Sequence, residues 1–309
     1  MIFAARGVLV SLAFFTVVYC LLSLMVVLAW RITARKIRRC FVSLPNFLFG
    51  LRIFSFAVSA VVTVFFTFPS FWLMERLSPD EDAATFVLAV CSVVILSAGI
   101  FRVLRTQART TRAVAQWLGV TNLASDAGLP VLSASDAPTL ILVGIRRPKV
   151  MVSHVAATVL SNDELQVAVR HELGHRHSWD NLKKVLISAT PFPGMGGIES
   201  AWREAAELAA DDSAVTNRRE ALDLAAALIK LSRSSPEWPK PLLATGLVSS
   251  SSSISLRVKR LLEWRMIRRR FRHSWRWTLL VLFVMIIGIA SNYGATLVLM
   301  HRSTELLVP

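Results

Sequence analysis

Two histidines four residues apart, in the run Val169-Arg170-His171-Glu172-Leu173-Gly174-His175, are the residues of this chain best suited to do chemistry. Helical spacing places side chains four apart one above the other on a single face. Two imidazoles so placed can ligate one zinc ion, and Glu172, about 100° round the helix, can reach a water at that ion. Zinc lowers the pKa of such a water to roughly 7, and the glutamate can take its proton during attack on a carbonyl. A helix is the element that must carry the group. Ser161-Asn162-Asp163-Glu164 reads as its start, with Ser161 as N-cap and Glu164 reaching back to close a capping box. Gly174 costs helix stability, which implies close approach by a neighbouring element.

A catalytic zinc site needs a third protein ligand and an open position. Downstream, Trp202-Arg203-Glu204-Ala205-Ala206-Glu207-Leu208-Ala209-Ala210-Asp211-Asp212 reads as a second helix whose alanines allow it to pack close to the first. Glu207 and Asp211 share one face. Glu207 is the candidate third ligand, and Asp211, one turn on, is placed to hold a ligand histidine. The competing reading is an ordinary amphipathic helix with a solvated acidic face.

His171-Glu172-Leu173-Gly174-His175 followed by Asp180-Asn181-Leu182, together with Glu207-Leu208-Ala209-Ala210-Asp211, resembles the BlaR/MecR-type antirepressor metallopeptidases. These are related to the membrane-anchored HtpX and CAAX-processing proteases. Gly144-Ile145-Arg146-Arg147-Pro148-Lys149-Val150 also resembles the strand entering that fold, and Leu256-Arg257-Val258-Lys259-Arg260-Leu261 resembles a recurring family segment. The motifs span roughly residues 130 to 262. The resemblance implies that His171, His175 and Glu207 bind Zn2+ and that Glu172 is the general base and acid. It also implies that an edge strand beside the metal receives the substrate as an added strand. Peptide hydrolysis needs a further donor for the developing oxyanion. The only tyrosines, Tyr19 and Tyr293, fall in apolar runs, which leaves His154, His177 and Arg257. Arg257 is preferred on order and resemblance, and His177, on another face from His171, reads as a surface residue. Asp180 reads as orienting the catalytic helix or its neighbours rather than binding metal.

The rest of the chain reads as a membrane anchor. Of its 309 residues 54% are hydrophobic and 18% charged, and mean hydropathy is +0.54, too apolar for an ordinary soluble domain. Apolar runs at about 7–30, 53–74, 84–101 and 277–300 predict four transmembrane helices. The first is too long for a signal peptide and has no small-residue cleavage site before the basic loop. Arg52 is expected to snorkel at the edge of the second span. Arg31, Arg35, Lys36, Arg38 and Arg39 follow the first span and Arg102, Arg105, Arg109 and Arg112 the third. Arg265, Arg268, Arg269, Arg270, Arg272 and Arg276 precede the fourth, and the acidic residues Asp80, Glu81 and Asp82 lie between the second and third. Basic residues collect on the cytoplasmic side, so both termini are predicted outside and the HExxH region inside. The net charge of +15 then reflects topology and lipid contact, and no nucleic-acid partner is expected. Cys20, Cys40 and Cys91 suggest neither a disulfide framework nor a cysteine metal site.

The expected fold is therefore a mostly α membrane protein. Residues 1–101 hold three transmembrane helices, 102–275 a cytoplasmic α-rich (α+β) zinc metalloprotease domain, and 276–309 the fourth helix with a short outer tail. Within the domain, Pro138–Val143 and Lys149–Ser153 read as strands around a Gly144/Pro148 turn, Glu220–Ser232 as a helix, and Arg233–Ser255 as a proline- and serine-rich linker. Arg170, Arg176, Asp180, Lys183 and Lys184 surround the motif and place it in water. The expected function is zinc-dependent endopeptidase cleavage of a cytoplasmic protein, a transcriptional repressor by the resemblance, at a bacterial inner membrane. The alternatives are quality-control proteolysis in the HtpX manner and a catalytically silent sensor or scaffold. Antirepressors that sense β-lactams carry a large sensor domain after the last span, and the tail after Met300 is too short for one.

Overall fold

A computed structural model of the chain describes residues 2–40, 45–74, 83–116, 121–124, 130–134, 140–145, 148–234, 244–246, 251–264 and 293–307. It is mostly helical. Contacts divide it into two units. One comprises Met1–Arg31, Ile53–Ala98 and Ile267–Pro309; the other comprises Ile32–Arg52 and Gly99–Met266.

In the first unit the apolar runs form long helices. Three stretches are long and apolar enough to cross a membrane: Phe3–Ala34, Pro45–Met74 and Ala83–Arg112. They lie in α1 (Ile2–Cys40), in α2 (Pro45–Val62) with its continuation through a π-helical turn at Thr63–Thr67 into α3 (Phe68–Met74), and in α4 (Ala83–Gln116). The π turn has a local cause. Pro69 has no N–H to give the carbonyl of Phe65, four residues back. The Tyr293 hydroxyl donates to that carbonyl at 2.9 Å, from α11 (Tyr293–Leu307). Polar groups buried among apolar helices must pair with one another. Thr16 Oγ1 accordingly donates to Leu88 O at 2.9 Å, and Ser92 Oγ donates to Leu12 O at 2.5 Å. The predicted fourth span, 277–300, lies outside the described residues as far as its last turns, which are helical from Tyr293. The basic stripe after the third run is helical as expected, and Arg102, Arg105, Arg109 and Arg112 are all exposed on α4.

The second unit packs helices on a five-stranded sheet of order β1-β2-β4-β3-β5. Its strands are β1 (Thr121–Ala124), β2 (Pro130–Ala134), β3 (Leu140–Val143), β4 (Lys149–Ser153) and β5 (Ala244–Gly246). The β3/β4 hairpin pairs Leu142 with Val150, and β2 runs parallel to β4. Both predicted strands are present. Gly144, in the turn between them, has φ 103°, a conformation that favours glycine. The sequence reading placed 244–246 and the serine run in a linker, and the structure corrects this. Ala244–Gly246 pairs antiparallel with β3 at the sheet edge, and Ser251 already opens α10 (Ser251–Leu262). A three-residue strand without branched residues carries no periodic signal of its own, and its partner supplies the order.

Five helices complete this unit: α5 (His154–Val159), α6 (Asn162–His177), α7 (Asp180–Ala189), α8 (Gly196–Ala214) and α9 (Arg218–Ser234). The core lies between the sheet, α6 and α9, with Leu140, Val152, Val167, Ala168, Leu224 and Leu228 all buried. Arg52 does not snorkel. It is 2% exposed, because α2 begins at Pro45 and carries it into this unit. Its guanidinium donates to Thr190 O at 2.7 Å and Ile187 O at 3.3 Å, capping the carbonyl end of α7. Its Nε bonds Glu199 Oε1 in the first turn of α8 at 2.8 Å. One arginine thus fastens the end of one helix to the start of the next.

Candidate metal centre

α6 starts where its sequence directs. Ser161 N donates to Glu164 Oε2 at 2.8 Å and Glu164 N donates to Ser161 Oγ at 3.3 Å, a complete capping box. From that fixed end the helix delivers His171, Glu172 and His175 to the interior, each no more than 1% exposed. α8 crosses close to it. A Cβ on Gly174 would stand 3.3 Å from the Ala210 Cα and closer still to the Ser213 hydroxyl, so only glycine permits this approach. Trp179, at φ 57°, then turns the chain from α6 into α7.

The approach brings Glu207 to both histidines. His171 Nε2 lies 3.6 Å from Glu207 Oε2, and His175 Nε2 lies 3.7 Å from Glu207 Oε1. Both imidazole nitrogens are buried and have no hydrogen-bond partner among the described residues. Buried polar atoms left so are rare. Ligands about 2.0–2.2 Å from a tetrahedral ion stand roughly 3.3–3.5 Å apart, close to the separations seen here. His171, His175 and Glu207 form the one group among the described residues whose ligand atoms could jointly hold a metal ion. Two imidazoles and one carboxylate are a donor set that catalytic sites use while keeping a further position open. Glu207, at 13% side-chain exposure, lies on the less enclosed side.

Each ligand is held from behind. Asp180 Oδ2 takes His175 Nδ1 at 2.7 Å, and Asp211 Oδ1 stands 2.9 Å from His171 Nδ1, at ion-pair distance though off the ideal hydrogen-bond line. A carboxylate behind a ligand imidazole fixes its tautomer and orientation. Arg257, from α10, holds the carboxylates in turn. Its Nε and Nη2 donate to Asp211 at 2.8 and 2.6 Å, and its Nη1 donates to Glu207 Oε2 at 2.9 Å. With three N–H groups so aimed and 1% exposure, Arg257 has the geometry of a ligand-positioning residue rather than the oxyanion donor proposed from sequence. His154 and His177, the other candidates for that role, are both exposed.

Charge explains the titration of the cluster. Burial pulls the His171 imidazole down, but its bonds to Asp211 and Glu207 outweigh this and raise it to about 9. Burial pushes the Glu207 and Asp211 carboxyls up, and the Arg257 cation overcomes that, holding both well below the usual range. Sequence reasoning missed Lys184. It lies one turn after Asp180 on α7, within electrostatic range of Glu207, Asp180 and Glu172, and burial pulls its ammonium below the usual lysine range. The signal was present as Asp180 and Lys184 four apart on an amphipathic ten-residue helix, between what read as two adjacent metal helices.

No family model matches this chain. No curated protein matches it either. The reading of the centre accordingly stands on its own geometry.

Proposed function

We propose that the chain is a membrane-anchored zinc endopeptidase that cleaves a cytoplasmic protein. One observation carries this reading: two buried, unpartnered imidazole nitrogens converge on one carboxylate, with Glu172 beside them on the same helix. The donor set favours zinc. When bound, the ion polarises a carbonyl and lowers the pKa of water. Glu172 receives the proton of the attacking water and returns it to the leaving amine. Asp180 and Asp211 keep the ligand imidazoles in register, and Arg257 keeps Glu207 and Asp211 in place. Lys184 is the cation nearest in kind to an oxyanion partner, since Arg257 is committed. The apolar helices and the juxtamembrane arginines support attachment to a bilayer with the centre on the cytoplasmic side. The resemblance to antirepressor peptidases makes a repressor the first substrate to test.

The test is a set of single substitutions in the full chain. Glu172→Gln is expected to retain stoichiometric zinc and lose cleavage. His171→Ala and Glu207→Ala are expected to lose zinc, while Glu204→Ala keeps it. Zinc loss in Glu172→Gln equal to that in His171→Ala would make Glu172 structural and sink the peptidase reading.

A further inference from the structure

A cavity of about 540 Å3 opens where the end of α6, the start of α7 and the β3/β4 turn meet. Its size is that of ligand pockets, which run about 300–1,000 Å3. Ile145, Pro148, Leu173, Trp179 and Leu182 supply apolar walls, and the metal-ligand candidate His175 is itself part of the lining. So the cavity adjoins the centre without containing Glu172 or Glu207.

Two features single it out from packing voids. Asn181 is 4% exposed, and its Nδ2 donates to Gly144 O at 2.9 Å and Leu142 O at 3.4 Å. That fixes the amide and leaves Oδ1 a buried acceptor with no hydrogen-bond partner among the described residues. A buried acceptor in a lined cavity calls for a donor from a ligand. Second, Trp179 holds a bulky indole in the left-handed region, at φ 57°, and leaves it 60% exposed at the junction. Large residues adopt that conformation only where the surroundings impose it, and such positions cluster at ligand clamps.

We propose that this cavity is the specificity pocket of the site, receiving a large uncharged apolar side chain of the substrate next to the scissile bond while Asn181 Oδ1 accepts a substrate amide N–H. The inference rests on the peptidase reading for its position next to the cut. Its chemistry excludes cationic side chains, because Arg176 and His177 stand in the lining and Asp180 is taken by His175 and by Lys183 at 3.6 Å. A lipid chain would match the apolar walls and leave Asn181 unanswered.

The experiment uses the zinc-loaded full chain in nanodiscs and two fluorinated probes followed by 19F NMR. N-acetyl-4-fluorophenylalaninamide carries the ring and the N–H donors; the methyl ester of 3-(4-fluorophenyl)propanoic acid carries the ring alone. Saturable binding of the amide is expected, at least about tenfold tighter than the ester, and weakened at least tenfold by Ile145→Trp, which fills the pocket from an exposed turn. Asn181→Leu is expected to bring amide and ester to equal affinity. It also removes the bonds to the turn, so Ile145→Trp decides the matter if that variant fails to fold. Absent binding, or binding indifferent to Ile145→Trp, overturns the pocket, and equal binding of amide and ester in the wild type transfers it to lipid. Cleavage of a peptide library gives the second arm. The wild type should favour large apolar residues at one position flanking the cut, and Ile145→Trp should shift that position to small ones; an unchanged preference overturns the pocket. Zinc content and the Glu172→Gln control report the peptidase reading separately, since neither residue lines the cavity.

Discussion

Replacing Arg257 by Met separates a positioning role from a chemical one. The side chain is 1% exposed and makes three charge-assisted bonds, two to Asp211 and one to Glu207. Methionine fills much of the same volume but leaves two buried carboxylates without their cation. Removing one partner of a buried ion pair costs about 3–5 kcal/mol, a large part of the roughly 5–15 kcal/mol that holds a domain together. At roughly 2–4 °C per kcal/mol for a domain of this size, the metal-free protein in detergent should melt about 6–20 °C lower. Zinc changes the expectation, because a bound divalent ion restores positive charge beside Glu207. With saturating zinc the deficit should shrink by about half or more, the linkage being logarithmic in free zinc over Kd. Arg257→Lys keeps the charge but not the planar fork, and should fall between. Melting curves with chelator and with excess zinc give both numbers. A metal-free loss below about 1 kcal/mol, or an equal deficit with and without zinc, would refute the positioning argument.

Asp180→Asn should weaken zinc binding about 10- to 100-fold by releasing the His175 ring, read by competition against a chromophoric chelator; unchanged affinity would show that His175 needs no support. Arg52→Met removes the cap of α7 and the partner of Glu199, and should destabilise the metal-free protein by about 3–5 kcal/mol, with Arg52→Lys recovering part of it. Ser161→Ala should cost about 1 kcal/mol through loss of the capping box. For Glu164, burial raises the carboxyl, but Lys230 and Ser161 outweigh it and hold it below its ordinary value. Its contribution is therefore fully present above the unfolded pKa, about 4.3, and is lost as pH falls through the depressed folded value. The stability gap between wild type and Glu164→Gln should close across that acid window, and a gap constant with pH would remove the Lys230 pairing from the account.

What the sequence makes legible is local. The capping box of α6 is written in Ser161 and Glu164, the close approach in Gly174, and the ligand face of α8 in Glu207 and Asp211, because these depend on spacings of three and four. The β3/β4 hairpin is written in its apolar runs and Gly144 for the same reason. What sequence does not carry is who sits behind whom. Arg257 lies far along the chain from Glu207 and Asp211, and its role is decided by where α10 packs. Arg52 reads as a membrane-edge residue because it adjoins an apolar run. Only the fold reveals that α2 starts earlier and buries it against α7 and α8. β5 is invisible alone, since three small residues gain strand geometry only from β3.

The charges of the centre show why a divalent cation suits it. Glu172, Asp180, Glu207 and Asp211 bring four carboxyl groups into one largely water-free region, and Arg257 and Lys184 are the cations set among them. That leaves the cluster short of positive charge, an arrangement costly in low dielectric. Lys183, 3.6 Å from Asp180 at the edge, makes up part of the shortfall. The rest is visible on His171, whose imidazole burial should have kept neutral and which the carboxylates lift to about 9. A proton is a poor filler, because it satisfies one nitrogen and leaves the His175 Nε2 unpartnered. A divalent ion among His171, His175 and Glu207 would answer the charge and both orphaned nitrogens together. Structural ion-pair networks also perturb pKa values, but they do so by pairing their atoms. Here the two nitrogens that face Glu207 stop at 3.6 and 3.7 Å, too far to bond it and near enough to share a ligand with it.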